Sequence, residues 1–142
     1  EYLFIETSSN GSPNKPFLLR TPLIDFSQTS GGETMFFYFN AWNNSQNAVK
    51  MGNLKIFSTT TPDDFDENHP DTIELSYQYI DNNLSVVNGD FTETTNPRSR
   101  WYLGRVDLTS LGNDSRFIVF YVTSGSDYNS DFTLGNVYIG GM

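Results

Sequence analysis

Apolar and aromatic side chains recur at every second position along most of this chain, and no stretch keeps a 3.6-residue apolar period for the ten or more positions a helix needs. Side chains alternate across a strand, so a chain patterned this way buries one face of each strand against a second layer. Ile73, Leu75, Tyr77 and Tyr79 against Thr72, Glu74, Ser76 and Gln78 form the cleanest case and predict one half-buried strand over 72–80. Between Thr34 and Trp42 the run Met35-Phe36-Phe37-Tyr38-Phe39 is aromatic on both parities, which predicts a central strand covered on both sides. The same pattern predicts strands over 1–6, 17–20, 52–59, 101–108, 116–123 and 132–139, and a short one at Leu84 to Val87 inside a long polar connection, 82–100.

Turn residues punctuate these runs. Asn10-Gly11-Ser12-Pro13-Asn14, Pro22, Gly112-Asn113-Asp114 and the segment Ser124 to Asp131 are rich in the residues that supply tight turns. A chain of 142 residues is long enough to bury a core without disulfides or a structural metal. No repeat or Pro-, Gly- and Ser-rich linker divides it, so residues 1–142 are expected to form a single domain. About eight short antiparallel strands then predict an all-β fold, a two-sheet antiparallel β-sandwich of jelly-roll type.

Composition removes several functions. Twelve Phe, 8 Tyr and 2 Trp are far more aromatic surface than a disordered chain carries. A net charge of -9, from 17 acidic and 8 basic side chains, repels a phosphate backbone, so no nucleic acid is expected as partner. With no cysteine there is no disulfide framework, zinc cluster or thiol nucleophile. His69, the single histidine, sits beside Pro70 in a polar stretch, and no serine has the Gly-x-Ser-x-Gly surroundings of a nucleophile elbow. No apolar run approaches the roughly 18 residues of a spanning helix, so no membrane insertion is expected. The chain opens on Glu1 with no basic region before an apolar stretch, as a mature or excised piece would.

Several segments, in order, carry a resemblance. Pro16 to Asp25 followed by Glu33 to Phe39, then Met51-Gly52-Asn53-Leu54-Lys55-Ile56-Phe57-Ser58-Thr59-Thr60 with Asp64-Phe65, then Trp101, Val106-Asp107-Leu108, Phe117-Ile118-Val119-Phe120 and Gly135-Asn136-Val137-Tyr138-Ile139, follow one another down the chain. The series resembles the jelly-roll domains of the bacterial cleaved-adhesin or choice-of-anchor type, related in pattern to MAM domains. The chain departs from them at Ser8-Ser9-Asn10-Gly11 and at Gly135, and lacks the MAM cysteines. The resemblance implies a non-catalytic surface module for adhesion, carbohydrate binding or protein contact, often part of a larger protein.

Candidate sites follow from side-chain chemistry. Sugar rings lay their C–H faces on flat aromatics while amides and carboxylates hold the hydroxyls. Trp42 beside Asn43, Asn44 and Gln46 has that combination, and Trp101, Tyr77, Tyr79 and Tyr128 are the other aromatic candidates. Asp127-x-Asn129-x-Asp131 offers alternating oxygen ligands for calcium. Asp63-Asp64-Phe65-Asp66-Glu67-Asn68 is a second acidic cluster, but His69 and Leu75 stand where an EF-hand needs glycine and a bidentate glutamate. Asn10, Asn43, Asn83 and Asn113 begin Asn-x-Ser triplets that fit the N-glycosylation acceptor.

The expected function is therefore a non-enzymatic binding or adhesion module at an extracellular, cell-surface or virion-surface location, with a glycan or surface protein as partner. The alternative is a structural assembly protein, such as a capsid decoration, fibre or surface-layer subunit, that buries itself against copies of itself. A carboxylate-pair enzyme acting on sugars is a third reading, which two acids about 5 to 10 Å apart in a groove would support.

Overall fold

The structure, a computed structural model, describes the backbone of residues 2–5, 14–28, 32–43, 50–61, 64–79, 84–87, 90–93, 101–124 and 130–141, and the side chains of 14–28, 32–40, 52–61, 64–79, 101–124 and 132–140. Among the described residues there are twelve strands: β1 (Tyr2–Ile5), β2 (Pro16–Arg20), β3 (Ile24–Asp25), β4 (Glu33–Asn43), β5 (Lys50–Thr59), β6 (Ile73–Leu75), β7 (Tyr77–Tyr79), β8 (Leu84–Val87), β9 (Asp90–Glu93), β10 (Tyr102–Asp107), β11 (Ser115–Ser124) and β12 (Ser130–Gly141). Short 3-10 turns at Phe26–Gln28 and Thr109–Leu111 are the helical elements among the described residues.

The strands form two antiparallel sheets. The front sheet has the order β1-β12-β4-β10-β7, and the back sheet the order β2-β11-β5-β9-β8, with β3 also on β11 and β6 also on β5. The first strand pairs with the last, β2 with β11, β4 with β10 and β5 with β9, and successive pairs fall alternately in the front and back sheets. That is a long antiparallel hairpin wound around a barrel axis, the jelly roll.

The core lies between the sheets. Met35, Phe37, Phe39, Tyr102, Val106, Phe132 and Leu134 from the front sheet meet Leu54, Ile56, Leu75, Ile118, Phe120 and Val122 from the back. Phe26, Leu108 and Leu111 join the same cluster. Phe37 is at its centre, edge-on to Phe120 across the sheets at 5.3 Å and to Tyr77 at 5.9 Å. Each such ring, fully withdrawn from water, contributes roughly 1.5–3 kcal/mol of transfer free energy.

Three sequence expectations change. The strand expected over 72–80 is two: the chain passes at Ser76 from β6, on β5 of the back sheet, to β7, on β10 of the front sheet. Leu75, Tyr77 and Tyr79 still pack on the core, so the alternation survives the change of sheet. Second, the polar connection holds not one strand but two, β8 and β9, paired antiparallel with Val87 opposite Asp90. Third, β4 is central by hydrogen bonding but its two faces are covered unequally: Met35, Phe37 and Phe39 are sealed in the core, whereas on the outer face Thr34 and Asn40 are buried, Phe36 is half-buried and Tyr38 is 42% exposed.

The acidic segment after β5 lies against the back sheet. Phe65 packs on Phe57 and Tyr121, with ring centroids 5.1 and 5.8 Å apart. Glu67 pairs with Lys55 at 3.7 Å. The buried Arg116 donates from Nη1 to the carbonyl of Asp71 at 3.2 Å. Phe57, on the outer side of its sheet, is thereby left only 2% exposed.

Candidate ligand-binding face

The outer face of the front sheet reads as rows across neighbouring strands, because residues paired in an antiparallel ladder share a face. Tyr138, Phe36, Arg105 and Gln78 form one row over β12, β4, β10 and β7. Gly135, Tyr38 and Leu103 form the next, and Thr133 and Asn40 the one after. Three strand spacings of about 4.8 Å make the first row about 14 Å wide.

This face exposes rings. Tyr38 is 42% exposed, Tyr138 63% and Trp101, immediately before β10, 49%. Tyr38 has Gly135 opposite it on β12. The phenol end of Tyr138 lies over Gly140, where a Cβ would stand 2.8 Å from Cζ. A ring laid over a glycine presents its other side outward.

Tyr138 reaches this face through a bulge. Phe132 and Leu134 point into the core, and simple alternation carries Tyr138 there too. One extra residue between Gly135 and Tyr138 shifts the register, with Asn136 in the left-handed region at φ 47°. Tyr138 is thereby turned outward and Ile139 packs on the core.

Beside the rings lies a polar hollow of about 230 Å³ lined by Ser76, Gln78, Arg105 and Asp107. The carboxylate of Asp107 accepts from the backbone N–H of Thr109 at 2.9 Å and from its hydroxyl. Those hydrogen bonds, with a smaller contribution from Arg105, hold its pKa below the usual carboxylate value. The hollow thus combines a guanidinium, an amide, a hydroxyl and an ionised carboxylate, a set able to hold the hydroxyls of a polar ligand from both sides.

The residues singled out in the sequence are distributed unevenly. Trp101 is 49% exposed and stands immediately before β10, the strand that carries Arg105. Trp42 and Asn43 end β4 opposite Asp131 and Ser130, with Trp42 two positions beyond Asn40; their side chains lie outside the described residues. Tyr77 and Tyr79 are half-buried against the core, not on the open face. The Tyr77 hydroxyl donates to the carbonyl of Leu54 at 3.1 Å, and burial, then the nearby Tyr79, raises its pKa. Tyr128, Asp127 and Asn129 lie outside the described residues, and Asp131 is described by its backbone alone.

In the acidic cluster, Asp66 is engaged with its own segment: Oδ1 accepts from the Asn68 N–H at 2.9 Å, and its carbonyl accepts from His69 and Thr72. Among the described residues no three carboxylate or imidazole groups come together to hold a metal ion. Sequence reasoning passed over Tyr38, Tyr138, Arg105 and Gln78. Tyr38 was legible on the even positions of an aromatic run, opposite in parity to the buried Met35, Phe37 and Phe39; Tyr138 was hidden by the bulge.

A second hollow, of about 200 Å³, opens at the sandwich edge and is apolar, lined by Phe17, Leu18, Leu19, Phe120, Val122, Phe132 and Leu134. Compared with protein-family models and with curated protein sequences, the chain matches none.

Proposed function

We propose that this domain is a non-catalytic, surface-displayed binding module that takes a glycan on the outer face of its front sheet. The observation that carries the reading is the grouping of Tyr38 and Tyr138, both substantially exposed, with the polar hollow of Gln78, Arg105 and Asp107 on the same sheet face, and with the exposed Trp101 immediately before β10. Rings of this size are often withdrawn from water, and here the register turns Tyr38 and Tyr138 outward on a sheet. Aromatic planes for sugar C–H faces beside hydrogen-bonding groups for hydroxyls are the chemistry a saccharide needs. The order of segments resembling adhesin-type jelly rolls supports the same reading.

The test is a printed glycan array followed by calorimetry on the best binder. Tyr38→Ala and Trp101→Ala are each expected to weaken binding roughly tenfold, the equivalent of about 1.4 kcal/mol of lost apolar contact. Because both side chains are exposed, Tm should stay within about 2 °C. Light scattering runs in parallel. A monomer whose glycan affinity depends on these rings supports the proposal; a self-associated protein that dissociates when they are removed replaces it with the assembly reading.

A further inference from the structure

The hollow at the edge of this face contains a cation that is not used elsewhere in the described structure. With 17 acidic side chains against 8 basic ones, cations in this chain have abundant partners. Lys55 meets Glu67, Arg116 meets Asp114 and Arg20 lies over the ring of Phe117 at 4.7 Å. Arg105 is exposed and makes no hydrogen bond or ion pair to any described residue. Its acidic neighbour in the hollow, Asp107, is turned to the Thr109 N–H and hydroxyl.

From this arrangement we infer that the ligand is a saccharide bearing a carboxylate, which Arg105 receives; the inference rests on the glycan reading of the face. A guanidinium offers only donors, in a planar fork that matches the two oxygens of a carboxylate. Phe36 stands beside Arg105 in its row and Gln78 on the other side, so a ring placed on Phe36 and Tyr38 directs a substituent to the guanidinium within one strand spacing. Gln78 and Ser76 are left for neighbouring hydroxyls. Asp107 opposes the anion, which makes its charge a test of sign.

The experiment uses the whole chain and matched pairs of immobilised oligosaccharides: hexuronic acids and their carboxyl-reduced counterparts, with sialylated and sulfated glycans as further arms. The acid of a pair is expected to bind about tenfold or more tightly than its reduced counterpart, as for hydrogen bonds to a charged group. Arg105→Gln should abolish that preference, bringing the acid down to the affinity of its reduced counterpart. Asp107→Asn, which keeps an acceptor for Thr109, should strengthen binding of the acid. Equal binding within pairs, preference for sulfate esters, or weaker acid binding by Asp107→Asn each overturns the inference while leaving the glycan reading in place. If no saccharide of any arm binds the folded protein, the glycan reading itself falls. If uronic acids fail and sialylated glycans bind in an Arg105-dependent way, the carboxylate assignment stands with a different sugar.

Discussion

Replacing Gly104 by alanine drives a methyl group into the ring of Phe37. The two residues are opposite each other in the β4–β10 ladder, and a Cβ at Gly104 would stand 2.7 Å from Cε2 and closer still to Cζ and Cε1. Carbon atoms pack at about 3.5–4.0 Å. The ring has little room to withdraw, because it is fully buried and held by Phe120 at 5.3 Å, Phe39 at 5.6 Å and Tyr77 at 5.9 Å. Overpacking of a filled core costs about 1–3 kcal/mol, and a clash with several atoms of a ring fixed on three sides belongs at the upper end, about 3 kcal/mol. With an unfolding entropy of about 0.3 kcal/mol/K for a chain of this length, Tm should fall by about 10 °C. Urea titration followed by circular dichroism gives the free energy, and the slope should not change. Phe37→Leu removes the clashing atoms, so the double variant should cost at least about 1 kcal/mol less than the sum of the singles. A Gly104→Ala protein within about 0.5 kcal/mol of the parent, or strict additivity in the double variant, refutes the reasoning.

Phe65→Ala should free the acidic segment from the back sheet, removing its contacts with Phe57 and Tyr121 and costing about 1–2 kcal/mol; hydrogen exchange at the Thr72 and His69 amides should accelerate, and unchanged protection there sinks the idea. Gly140→Ala should lift the phenol end of Tyr138 and weaken glycan binding severalfold, with little change in Tm because the displaced ring is 63% exposed; calorimetry and a thermal melt read both. Tyr77→Phe removes the donor to the Leu54 carbonyl and should cost about 1 kcal/mol at neutral pH. Its pH dependence has a definite sign: burial raises the Tyr77 pKa above the ordinary 10.0, so above that pH the folded chain retains a proton the unfolded chain releases. Stability is therefore complete below pH 10 and falls as pH rises beyond it, and urea midpoints from pH 8 to 11 should decline less steeply in Tyr77→Phe than in the parent.

The sequence by itself determined the class of fold and most of its strands. Period-two alternation requires strands, and an aromatic parity such as Met35, Phe37 and Phe39 must be buried somewhere, which needs a second sheet. Alternation read only Leu84 to Val87 of the β8–β9 hairpin and missed β9, although Asn88-Gly89 between Val86-Val87 and Asp90-Phe91 is a local hairpin signal. Alternation states which residues share a face; it does not state which sheet a strand joins or whether a further layer covers its other side. Those are properties of long-range pairing, and they made Leu75 and Tyr77 neighbours in sequence on opposite sheets.

The binding face was decided at that tertiary level. Tyr38 is 42% exposed between the buried Thr34 and Asn40 of its own strand face, although the same run reads as a strand buried on both sides. Phe57 also points outward, yet Phe65 and the acidic segment close over it, so two outward rings of similar local context have opposite fates. Tyr138 joins Phe36, Arg105 and Gln78 because one extra residue near Asn136 inverts the parity of β12. A one-residue shift in register moves every following side chain to the other face, and the free energy that selects it comes from cross-strand packing.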